Sequence, residues 1–195
     1  MVAPTGTFKA SLFFKVCTYL IIPTLFLIYW ISQIYGHEPP FPNCWISKCA
    51  QHYPEFLFFR TATISGSVLM MLGWLTNYFY LRTVGKEQSF NVNKYYPKVI
   101  MVIGLMGGMF LMGNTATIDT GKMNEHWHTT CANLFFIFTL AAQVLNAIVY
   151  TVVYEKTKAV NHTNLLFKYV LIGLLALQGL LSMYQGNLGG FWNIS

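Results

Sequence analysis

Residues 103–132 read IGLMGGMFLMGNTATIDTGKMNEHWHTTCA, from Ile103 to Ala132. The first half is apolar and carries Gly104, Gly107, Gly108 and Gly113, with Met106, Met109 and Met112 between them. The second half is a short polar turn with Asp119, Glu125, His126 and His128. Two membrane helices running antiparallel, joined by a tight loop, account for both halves. Gly104 and Gly108 form a G-x-x-x-G pair. With no side chain on that face, a second helix can approach closely and gain dispersion contacts. Packing within the chain's own bundle is the first expectation for these glycines, and an interface with another subunit is the second. The methionines read as adaptable packing rather than a metal ladder.

Outward from this stretch, composition gives the same solvent. Of 195 residues, 55% are hydrophobic and 9% charged, against about 25% charged in soluble domains. Apolar runs of about 20 residues span a bilayer. Five such runs lie near Leu12–Ile34, Phe56–Leu81, Val99–Ala116, Thr129–Val153 and Leu165–Tyr184. They are continuous rather than alternating, which favours helices over barrel strands. The expected fold is one all-α domain over residues 1–195, a five-transmembrane-helix bundle. The net charge of +6 sits in loops, so it sets orientation and is no nucleic-acid signal. Lys9, Lys15, Arg82, Lys86, Lys94, Lys98, Lys156, Lys158 and Lys168 share one side; Lys48, Arg60 and Lys122 share the other. The positive-inside rule then puts the N-terminus inside and, with five spans, the C-terminus outside. The Asn161-His162-Thr163 glycosylation triplet falls on the inside.

Few residues offer chemistry. Arg60 is costly inside a bilayer, and one turn from the outer end of its span it calls for a counter-charge. Glu55, Asp119 and Glu125 share its side, giving three candidate ion-pair partners. Ser65, Gln143 and Asn146 form a polar intramembrane face, with Asn146 and Tyr150 on one side of their helix. With Arg60 they would line a cavity in a transporter, though no broken-helix pair accompanies them. Cys44 and Cys49 are a candidate disulfide if their compartment is oxidising. His126, His128 and Cys131 resemble a metal cluster but lack the second ligand pair that zinc requires. No catalytic set, metal site or cofactor is expected; bound lipids are.

The Pro-rich segment before Ile46-Ser47, then Tyr53-Pro54-Glu55, Gly104-Leu105-Met106-Gly107, Met112-Gly113, and His128 followed by Ala132 resemble the DRAM/Frag/Sfk family of polytopic membrane proteins. That resemblance runs over most of the chain. It implies a six-helix bundle and carries no agreed catalytic residues. This chain reads as ending after five spans, near Gly186–Trp192. A lost span predicts a noncatalytic accessory subunit of a large membrane complex, with a mitochondrial respiratory or ATP synthase complex as a candidate host. Its contacts would be lipids and other subunits, met through the glycine-rich third span and the chain termini. The inner mitochondrial membrane is then favoured over the ER, Golgi or lysosome. The alternative is a stand-alone endomembrane regulator of lipid, GPI-anchor or autophagy type.

Overall fold

The computed structural model describes residues 10–39, 46–87, 95–119, 122–157, 162–163 and 165–177. Helix α1 covers Ala10–Tyr35, α2 Ile46–Cys49, α3 Glu55–Glu87, α4 Tyr95–Ala116 and α5 Glu125–Thr157. Between α4 and α5 lies an antiparallel hairpin of β1 (Ile118–Asp119) and β2 (Lys122–Met123). A further apolar helix, α6, covers Leu165–Leu177. Four helices, α1, α3, α4 and α5, are long and apolar enough to cross a membrane. Helix is the expected outcome for these runs, because every backbone group must be satisfied within the segment in lipid. The chain is an integral membrane protein of the helical class. The fifth expected span is only partly seen: its described part, α6, has 13 residues, and residues 178–184 lie outside the described ones.

The helix ends follow local chemistry. Gly36 ends α1 with φ of 65°, a left-handed conformation that glycine adopts without a Cβ penalty. The Asn124 side chain accepts from the Trp127 amide at 3.2 Å, capping the start of α5. Glu55 and Glu125 stand in the first turns of α3 and α5, where the helix dipole favours an acid. Helices α3 and α5 have 33 residues each, about 50 Å at 1.5 Å per residue. Helix α4 has 22, about 33 Å.

The helices pack mainly as a sequential series, α1 on α3, α3 on α4, and α4 on α5. The glycines of α4 fit this order. A Cβ on Gly104 would overlap the Trp74 indole, and one on Gly108 would overlap Met71, both on α3. On the opposite side, a Cβ on Gly107 would lie 2.9 Å from the Thr139 hydroxyl of α5. The glycine surface is therefore covered on both sides by this chain's own helices. Trp74, Leu81, Ile100, Ala142 and Val153 form the main core. A smaller one, around Ile28, Cys49, Ala50, Phe59 and Ile118, joins α1, α2 and α3 to the hairpin. Helix α1 has a wide uncovered face, with Tyr19, Phe26, Trp30 and Ile34 exposed.

Candidate functional site

Polar side chains gather at two levels. The end of the bundle formed by the α1–α3 and α4–α5 connections carries His37, His52, His126 and His128, and is called the histidine end. The opposite end carries Arg82, Lys98, Lys156 and Lys168, and is called the lysine end.

At the histidine end, α1 stops where α3 begins, so His37 and Glu55 meet. The His37 Nδ1–H donates to Glu55 Oε1 at 2.7 Å. Glu55 is fully buried, and its other oxygen has no partner among the described residues. His52 Nε2 lies 3.3 Å from Glu38 Oε1. The two imidazoles stack with centroids 4.7 Å apart, and Tyr35 stacks on His37. Two acids on this side are thus taken by histidines. Arg60 is not one of their partners. Its guanidinium lies over the Phe56 ring, 4.6 Å from the centroid, and donates to the Ile118 carbonyl at 3.3 Å. Among the described residues no carboxylate faces it. Glu125 is exposed at the start of α5, and the Asp119 side chain lies outside the described part.

The histidine half of the opening stretch has a mechanical use. The Asn114 amide of α4 donates to the His128 carbonyl at 3.0 Å. The Thr117 hydroxyl donates to the Asn114 carbonyl at 2.6 Å and lies 3.2 Å from His128 Nδ1. These bonds tie α4 to α5 across the hairpin. No group of three or more His, Cys, Asp or Glu could hold a metal ion among the described residues. Beside them, Thr115 donates to Thr63 at 2.9 Å, joining α4 to α3.

A second polar tie lies deeper, toward the lysine end. Asn77 Nδ2 of α3 donates to Asn146 Oδ1 of α5 at 3.0 Å. The Tyr150 hydroxyl donates to Asn77 Oδ1 at 2.9 Å. The ammonium of Lys168, on α6, sits 4.4 Å from the Tyr150 ring centroid. Asn146 and Tyr150 do share a face, as their spacing predicts; Asn77 is the partner that sequence reasoning missed. Ser65 is exposed and does not join them. Asn77 follows Arg60 by 17 residues on one helix, about 25 Å along its axis. Arg60, Ser65 and Asn146 therefore do not line one cavity. Cys44 lies outside the described residues, so the Cys44–Cys49 pairing does too; Cys49 itself is fully buried.

Sequence reading also missed the His37–Glu55 and His52–Glu38 pairs. The available signal was positional. A glycine-terminated helix followed by an acid-led helix brings residue 37 back beside residue 55.

The family model described as the Frag1/DRAM/Sfk1/Cwh43P N-terminal domain matches residues 9–188. The chain belongs to this family. Comparison with curated proteins and with solved structures yields no match.

Proposed function

We propose that the chain is a noncatalytic, stand-alone regulator embedded in an endomembrane, of the lipid, GPI-anchor or autophagy type. The observation that carries this is the family match over residues 9–188, on a chain with four helices long and apolar enough to cross a membrane. The polar clusters support a noncatalytic role, because their hydrogen bonds are spent tying helices together: Asn77 to Asn146, Thr115 to Thr63, Asn114 to His128. The family match favours this reading over an accessory subunit, and the glycine face proposed for subunit contact is filled by α3 and α5. In the proposed orientation the N-terminus and lysine end face the cytosol and the histidine end faces the lumen, the arrangement that the excess of Lys and Arg at the lysine end supports.

Disruption of the gene tests the reading, with surface display of a GPI-anchored reporter and autophagic flux as readouts. One of them should change, and the tagged protein should migrate on native gels as a small species after gentle extraction. Unchanged readouts together with comigration in a large complex would reject the proposal.

A further inference from the structure

We propose that Arg60 binds a phosphate group, that of a membrane phospholipid in the leaflet at the histidine end. Side chains on a helix tilt toward its N-terminus. The N-terminus of α3 lies at the histidine end, so Arg60 reaches outward, back across Phe56 one turn earlier. Exposed Trp30, Tyr35, Tyr53 and Trp127 lie toward this same end. Such amphipathic rings collect at the headgroup level, which places the guanidinium at the boundary of headgroups and acyl chains.

At that depth a cation needs an anion, and among the described residues no carboxylate faces Arg60. The nearest acid in sequence, Glu55, is buried against His37 at 2.7 Å. Glu38 is beside His52. The guanidinium has five N–H donors in a planar fork suited to phosphate, and only the Ile118 carbonyl accepts from it among the described residues. The surroundings select a lipid over free phosphate. Leu57 and Ile64, three residues before and four after Arg60, are 48% and 38% exposed. They form an apolar strip on the same side of α3, against which acyl chains can lie while the phosphate meets the fork. A free phosphate ion would lose hydration there and gain no apolar contact. The proposal stands apart from the regulatory reading, since it rests on the surroundings of Arg60 and not on the family match.

The test is native mass spectrometry of the full chain in detergent, titrated with dioleoylphosphatidylglycerol. Arg60→Gln should weaken the tightest lipid-binding step about tenfold, the scale of one charge-assisted contact. Arg60→Lys should fall between, keeping the charge but losing the fork. Maleimide labelling of Cys17 reports folding of each variant independently of lipid. Equal lipid binding by wild type and a folded Arg60→Gln variant would overturn the proposal. If Arg60→Gln does not fold, wild-type affinity in Arg60→Lys overturns the fork. Inorganic phosphate in large excess should leave the bound lipid in place; displacement would assign the site to free phosphate instead.

Discussion

Glu55 shows how one side chain can be both buried and useful. It has no exposed surface, and its hydrogen-bonded contact is His37 at 2.7 Å. Deleting one partner leaves the other without its hydrogen bond, which costs about 1–3 kcal/mol for a buried polar group. Glu55→Ala should lower the thermal midpoint in detergent. His37→Ala should add little on top of it, because the two changes remove the same bond, and a double-mutant cycle measures that coupling. The Asn77–Asn146 bond is a different case. Interhelical hydrogen bonds in membrane proteins average about 0.6 kcal/mol and reach about 1.7. A cycle of Asn77→Leu and Asn146→Leu in a denaturant titration should return a coupling in that range. Asn146 and Tyr150 could be put on one helix face from their spacing. Their partner could not, because pairing between α3 and α5 depends on helix rotation that an apolar run does not encode. Arg60 was legible as a costly residue. Its separation from Glu55 was not, since nothing in the spacing shows that a histidine from another element reaches the acid first.

Among the elements, α4 was the most readable. A G-x-x-x-G pair removes volume from one face, and α3 fills it with Trp74 and Met71. Gly104→Ala would drive a methyl group into a rigid indole, and overpacking of this kind costs about 1–3 kcal/mol. Gly173→Ala on α6 is the control, since a Cβ there meets nothing within 4 Å; unfolding of the two variants should differ by that amount. Helix α1 was legible as a span but not in its attachment. It packs on α3 through Gly66 and Gly73, where added Cβ atoms would run into Ile21 and Phe14. The Cys17 thiol donates to the Gly66 carbonyl at 3.2 Å. Gly66→Val should push the two helices apart and raise maleimide labelling of Cys17 several-fold. Cys131, which lies against Gly113 between α4 and α5, should label as in the wild type.

For the whole molecule, the distribution of cations fixes an expected orientation, and glycosylation mapping checks it. An acceptor triplet inserted at positions 120–121, in the α4–α5 turn, should be glycosylated in microsomes, while Asn161 should stay unmodified. Modification of Asn161 alone would invert the orientation. The helical membrane class was readable because apolar runs of this length admit few other structures. Helix lengths were less so: α3 and α5 continue past the apolar runs into polar flanks, which hydrophobicity does not mark. Those lengths have a consequence for how the protein sits in lipid. The spanning part of α3 has 30 residues, about 45 Å, against a hydrocarbon layer of about 30 Å. The excess must be absorbed by tilt, by projecting ends, or by thickening of the surrounding lipid, each at a small cost per ångström. Helix α4 fits such a layer almost upright, yet it is locked against α3 through Gly104 and Gly108. The bundle therefore holds helices of two lengths side by side, and the thickness of the surrounding bilayer biases their tilts.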